Sequence, residues 1–379
     1  MSAKTLPTPL YGPDFGSYTA DDVAWLIKDL SNVQLEAPTE DREESIQSGN
    51  AHYAESLPIE FQPDEAYLAL FRQSLADSSL RMAQAVGTVA EQILAKKGQN
   101  VVLVSLARAG TPVGVLIKRW LKARHGINAP HYAVSIVRGK GIDANALEYL
   151  ADHHFAEDII FVDGWTGKGA ISKELAVALD VYHEKTGIRF GGELAVLADP
   201  GSCVEIFGTR ADFLIPSACL NSTVSGLVSR TVLNDDYIGP DDFHGAKFYS
   251  DLIPSDVSYE FIEAIEARFP EVTHTTHDED TAPTWAGWAT IEATSEAYGI
   301  NNVNLVKPGV GETTRVLLRR VPWKILVRED AFDDLSHVRH LAESRGVTIE
   351  VVKELAYSCI GLIHPKFTKG ATSFDGTAV

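Results

Sequence analysis

Short apolar runs separated by polar, glycine-rich turns dominate the middle of the chain. Val101–Val104, His131–Val137, Asp158–Asp163, Glu193–Ala198 and Asp212–Ile215 each read as a buried strand. The amphipathic stretches between them, from Thr111-Pro112, over Asp143–His154 and from Thr166 to Lys185, read as helices. That alternation predicts an α/β fold in which a parallel sheet carries helices on both faces. Ahead of it, Asp64–Lys97 predicts one or two amphipathic helices stopped by Gly98. Further upstream, Val23, Leu26, Ile27 and Leu30 share a helical face and predict a helix over Ala20–Leu30. A helix is predicted over Tyr259–Phe269, and the polar stretch His274–Thr284 reads as a linker. Beyond it, the run Asn302–Val306, a glycine turn, a helix from Glu312, the run Trp323–Arg328, a helix over Leu335–Ser344 and the run Val347–Val352 form a second α/β unit. The expected division is an irregular and helical lead-in over 1–63, an α/β domain over 64–270, a linker over 271–284 and a small α/β domain over 285–379.

Composition narrows the function classes. The 379 residues leave room for two or three domains, and 45% apolar with 22% charged residues is ordinary globular usage. A net charge of −19 argues against a general nucleic-acid coat protein. Residues 301–379 are the exception, with 11 Lys/Arg against 9 Asp/Glu, so any RNA contact is expected there. Cys203, Cys219 and Cys359 are odd in number and widely spaced, which fits a reducing compartment and gives neither a disulfide framework nor a zinc ribbon. The first residues lack an apolar signal segment and no run reaches the ~20 residues of a membrane span. A cytoplasmic protein without membrane contact is expected.

Ligands of an open parallel sheet bind at the carboxyl ends of its strands. Three loops there carry candidate chemistry. Ile159–Ile171 is a strand, an acid (Asp163) and then Thr166-Gly167-Lys168-Gly169 opening a helix, a pattern that presents backbone N–H groups and a hydroxyl to a phosphate. It is not a Walker A loop, because Val162 stands where the first glycine belongs and Gly169 replaces Ser/Thr. In the first loop, Arg108-Ala109-Gly110 would hold an anion, and in the second Arg138 and Lys140 alternate with glycines. Each loop also reads as a tight turn or a solvated basic surface.

The Asp163–Gly169 segment resembles the PRPP-binding loop of type I phosphoribosyltransferases. The resemblance implies that fold, with Thr166–Gly169 on a 5′-phosphate, Asp163 on the ribose hydroxyls, and Arg138 and Lys140 closing on the pyrophosphate. It implies Mg2+ brought in by PRPP, with no metal held by protein ligands alone. Gly164 departs from the pattern by replacing its second acid, and the spacer is shorter. On a larger scale, Ile46–Tyr53, Leu103–Pro112, Phe161–Gly169, Ile215–Asn221 and Phe243–Lys247 resemble the phosphoribosyltransferase-like proteins of bacterial tellurite-resistance (stress) gene clusters, a family also labelled cysteine protease StiP. That resemblance runs from Tyr18 to Phe269. It implies a transferase making a nucleoside-like metabolite from a phosphorylated sugar or nucleotide, and a homo-oligomer is expected.

Two other segments point elsewhere. Pro216–Arg230 is rich in small polar groups around Cys219, and a cysteine nucleophile needs a histidine and an orienting group. His244, His131 and His52 are candidate partners, with Asn221 or Asp242 as orienter, and a buried structural thiol is the alternative. A cysteine peptidase built on Cys219 and His244 is therefore the second reading of the chain. Lys307–Arg320 resembles the helix start of the Pelota-like RNA-binding fold. This implies RNA contacts from Gly309, Gly311, Glu312, Thr313 and Arg315, although Gly311 replaces that motif's Asn. A capped helix without ligand is the other reading of this segment, and a non-catalytic nucleotide-sensing or RNA-binding module the other class for the chain. The expectation placed first is a phosphoribosyltransferase-like enzyme fused to an RNA-binding domain.

Overall fold

The computed structural model describes residues 6–37, 52, 54–60, 62–276, 281–320, 322–333 and 335–363. Of the segment Ile46–Tyr53, His52 alone lies within them, and residues 277–280 of the expected linker lie outside.

The first unit is built on β1 (Ala24–Leu26), α1 (Glu65–Lys97), β2 (Val102–Ala107), α2 (Gly110–His125), β3 (His131–Val137), β4 (Gly141–Ile142), α3 (Ala144–His153), β5 (Ile159–Trp165), α4 (Ala170–Thr186), β6 (Leu194–Ala198), β7 (Ile206–Thr209) and α5 (Ser258–Glu266). The sheet order is β1-β3-β2-β5-β6-β7, with every neighbouring pair parallel and β4 folded back antiparallel on β3. Val102, Val104, Ile160 and Phe161 are buried, as expected of strands covered on both faces. α1 is one helix: the Asp64 carboxylate accepts the Tyr67 N–H at 2.8 Å, and Gly98 (φ 73°) ends it.

Three predicted elements are corrected, one of them being Asn302–Val306, of which Val303–Leu305 is a 3-10 turn and only Val306 begins a strand. Ala20–Leu30 is not a helix: Asp22 to Ile27 are buried without a break, and Ala24–Leu26 pairs with β3. A run buried on every side is a strand pattern, and the helical spacing of Val23, Leu26 and Ile27 with Leu30 is incidental. Asp212–Ile215 is extended but pairs with no strand, and Ile206–Thr209 takes the place beside β6. The Asp212 segment is used instead to dock the second unit.

That unit holds α6 (Ala286–Ala297), β8 (Val306–Pro308), α7 (Val310–Arg319), β9 (Pro322–Arg328), α8 (Ser336–Ser344), β10 (Thr348–Val352) and β11 (Cys359–Ile363). Its sheet runs β8-β11-β9-β10, parallel only between β9 and β10. α7 lies against Pro216–Cys219, and Leu214, Ile215 and Cys219 share one apolar cluster with Val310, Leu317 and Val327. The second unit thus covers the carboxyl edge of the first sheet. The chain is a mixed α/β protein with a mostly parallel central sheet.

Candidate functional site at the seam between the two units

The carboxyl ends of β2, β3 and β5 face the turn from β8 into α7 across a cavity of about 270 Å3. Asp163, Thr166 to Gly169, Arg138 and Ala109 line it from one side, and Asn304, Lys307, Pro308 and Glu312 from the other. The three loops expected at the sheet edge therefore do meet there, the first through Ala109 and the second through Arg138, and the second unit supplies the far wall.

The cavity is cationic. Burial first, then the neighbouring charges of Arg138 and Lys307, pull Lys168 down to about 8. Lys307 is lowered in the same sense by burial and by Arg320, Arg138 and Arg315, against the pull of Glu312. Burial pushes Asp163 up to about 7, the one hydrogen bond opposing it being the Gly164 N–H at 2.7 Å. Glu312 stays ionised despite burial because Arg315 pairs with it at 2.9 Å and Lys307 lies near.

Several expected roles are filled differently. The Thr166 hydroxyl donates to Asp199, which also accepts the N–H groups of Cys203 and Val204 and pairs with Arg210, so that hydroxyl does not face an incoming anion. Lys168 donates to the Val303 carbonyl and Asn304 Oδ1, both at 3.0 Å, and Arg138 donates to the same Asn304 oxygen at 2.8 Å. Arg138 and Lys140 do not sit on a free closing loop: Glu174 accepts the N–H groups of Gly139 and Gly141 and ties the turn to α4. Arg108 is outside the cavity, 3.7 Å from Glu60, which also accepts the Ser222 N–H and hydroxyl. A Cβ at Gly110 would come 2.4 Å from the Val162 carbonyl, so close packing of α2 on β5 already requires that glycine.

Cys219 ends a 3-10 turn, Pro216–Cys219, beneath α7 and is fully buried. Tyr67 donates its hydroxyl to the Cys219 carbonyl, Arg315 donates to Asn221 Oδ1 at 3.2 Å, and the Arg315 guanidinium interacts with Cys219. His244 is not brought to this thiol: its Nδ1 bonds the Ser135 hydroxyl at 2.8 Å and its N–H donates to Asp143. His131 is likewise committed, Nε2 to Ser105 at 2.7 Å and Nδ1 to the Asp22 carbonyl at 2.7 Å. Asp242 pairs with Lys28.

The residues expected to touch RNA are turned inward. Gly309 (φ 88°) and Thr313 are buried, a Cβ on Gly311 would come 3.1 Å from that of Ala218, and Glu312 and Arg315 form the pair just described. Asp212, Tyr67, Asn304 and Lys307 were not recognised as site residues. Only Lys307, inside the segment with the RNA-binding resemblance, left a trace in the sequence.

Fold and site define a two-unit α/β protein whose second unit closes over the ligand edge of the first. The chain belongs to the StiP family: residues 16–266 match the family model described as tellurite-like stress resistance cysteine protease StiP. Residues 285–365 match the PELOTA RNA binding domain. A relative named cysteine protease StiP, from Acinetobacter baylyi (strain ATCC 33305 / BD413 / ADP1), is 34% identical over 94% of this chain and 95% of its own length. These findings overturn the phosphoribosyltransferase expectation, since family and relative are described as cysteine proteases. The structure gives physical reasons in the same direction: Gly164 supplies no second carboxylate, Thr166 is bonded to Asp199, and Arg138 and Lys168 hold Asn304. Among the described residues no helix is long and apolar enough to cross a membrane.

Proposed function

We propose that the chain is a cysteine peptidase with Cys219 as nucleophile, joined over about residues 271–284 to a unit that contacts RNA. The family description supports the peptidase class. What supports Cys219 among the three thiols is its charge environment. Cys203 is pushed up to about 12 by burial and by Asp199, and Cys359 is pushed up by burial and Asp212, which keeps both as thiols. Cys219 is as buried as they are but interacts with the Arg315 guanidinium, a cation of the kind that activates a cysteine for attack on a carbonyl carbon. Asn221, two residues on, accepts from the same Arg315 and ties the guanidinium to this turn. Because α7 covers the thiol, substrate reaches it only when α7 moves away.

The test is cleavage of a fluorescently labelled unfolded protein by the full chain. Cys219→Ser is expected to abolish cleavage, Cys203→Ser to leave it within a few-fold, and iodoacetamide to inactivate the wild type. Unchanged cleavage by Cys219→Ser removes this assignment. For the second unit, the matching RNA-binding domain and the local excess of basic residues support RNA contact, which binding of labelled RNA to the full chain checks.

A further inference from the structure

If the inward-turned motif of α7 is to serve RNA, the strand must reach it along some exposed path. The seam cavity opens on one side into a groove of about 380 Å3, and the two share Arg138, Lys168 and Asn304. The groove continues over the first turns of α4, where Lys173 is exposed, to the indole of Trp288 on α6. Lys173 Nζ lies 4.7 Å from the Trp285 ring centre and 4.3 Å from that of Trp288, and Val177 beside it is 63% exposed. Lys140, on the turn held by Glu174, is exposed next to Arg138.

Cations outnumber carboxylates along this path: Arg138, Lys168 and Lys173 line the groove against Glu174, whose oxygens accept two backbone N–H groups, and Glu312 in the seam is paired with Arg315. A cationic groove ending at an indole, on a chain of net charge −19, has the two components of single-stranded nucleic-acid recognition: cations for phosphates and an aromatic face for a base. We propose that a single-stranded RNA segment leaves the seam cavity and crosses Arg138, Lys168, Lys140 and Lys173 of the first unit, with a base stacked on Trp288. The RNA interface is then shared by both units and does not lie on α7 alone. This rests on the RNA-binding reading of the second unit, and names the groups of the first unit that complete it.

Fluorescence anisotropy of the full chain with a labelled oligouridylate of about 12 nucleotides tests it. Lys140→Ala/Lys173→Ala is expected to bind about tenfold more weakly than the wild type, with a log–log salt slope shallower by about 1.4, two phosphates at ~0.7 each. Arg72→Ala/Lys122→Ala, which removes the same charge from exposed sites on α1 and α2, is expected to leave affinity and slope unchanged. Trp288→Phe is expected to keep affinity within a few-fold but to lose most of the RNA-induced quenching of indole fluorescence. If the wild type binds and the Lys140/Lys173 variant binds identically with the same slope, the path is wrong while the RNA-binding reading stands. Equal competition by polyglutamate would make the groove a surface for acidic protein and overturn the proposal. Absence of RNA binding by the wild type removes the RNA-binding reading itself, and this path with it.

Discussion

The Asp212 carboxylate accepts the Val310 N–H at 2.9 Å through one oxygen and the Ser358 N–H at 2.8 Å through the other, and so clasps the N-terminus of α7 and the start of β11 to the first unit. Gly309 just before it has φ 88°, and a Cβ there would come 3.1 Å from that carboxylate. The first unit thus places an acid on the glycine turn where the RNA-binding resemblance puts an anionic ligand.

That clasp has a pH signature. Burial raises Asp212 to about 6 against the pull of its two N–H donors and Arg328. A carboxylate raised in the folded state contributes stability that is present below about pH 4 and lost as the pH climbs through about 6. The difference in unfolding free energy between wild type and Asp212→Asn is expected to grow by up to about 2 kcal/mol on going from pH 7 to pH 4. Urea unfolding at the two pH values measures it.

His131 titrates in the opposite sense. Burial holds its imidazole down at about 4, despite the Asp22 carbonyl, and the neutral ring bridges Ser105 and Asp22. Its contribution is therefore present above about pH 6.5 and lost as the pH falls towards 4. His131→Gln is expected to be less stable than the wild type at pH 7, with the gap closing by about 3 kcal/mol by pH 4. A gap independent of pH would mean that the ring takes up its proton equally well in the folded and unfolded chain.

Tyr67 controls the backbone at the proposed nucleophile. Its hydroxyl donates to the buried Cys219 carbonyl, 152 positions away. Tyr67→Phe removes that hydrogen bond and is expected to cost about 1–2 kcal/mol of stability. The same change is expected to speed iodoacetamide labelling of Cys219 relative to Cys359, read by mass spectrometry of the alkylated peptides. Equal labelling of both in both proteins would show that the hydrogen bond does not hold the turn closed.

Most of the fold was legible because the strands are buried on both faces and the helices carry caps. Val101–Val104, His131–Val137 and Glu193–Ala198 announce themselves by apolarity alone, and Asp64 and Gly98 bracket α1. The helix Ala286–Ala297 went unrecognised because its buried residues, Gly287, Ile291, Thr294 and Ser295, include one large apolar side chain and form no stripe. The site was only half legible. Glycines and cations at the ends of strands mark a ligand edge, but no local pattern records that Asp199 takes the Thr166 hydroxyl, that Asn304 takes Lys168 and Arg138, or that Cys219 lies under α7. Those partners come from 33 to 166 positions away: Asp199 from within the first unit, Asn304 and α7 only through the docking of the second.

Gly169 and Gly187 separate the cost of backbone strain from the cost of disturbing the seam. Both have φ 77°, at the two ends of α4. A Cβ at Gly187 meets nothing within 4 Å, so Gly187→Ala carries only the left-handed backbone penalty of about 1 kcal/mol. A Cβ at Gly169 would stand 2.3 Å from the Trp285 ring and 2.9 Å from Cys203 Sγ. The Trp285 backbone is anchored, its main-chain N–H donating to the Ser202 carbonyl at 2.9 Å, so relief of the clash has to come from turning its ring, over which Lys173 lies. Gly169→Ala is therefore expected to cost about 1–3 kcal/mol more than Gly187→Ala, the range for overpacking. It should also shift the tryptophan emission of the folded protein, which Gly187→Ala should leave unchanged. Matched urea titrations of the two variants decide it: equal losses of stability, with no change in emission, would mean that Trp285 is not packed on the Gly169 turn.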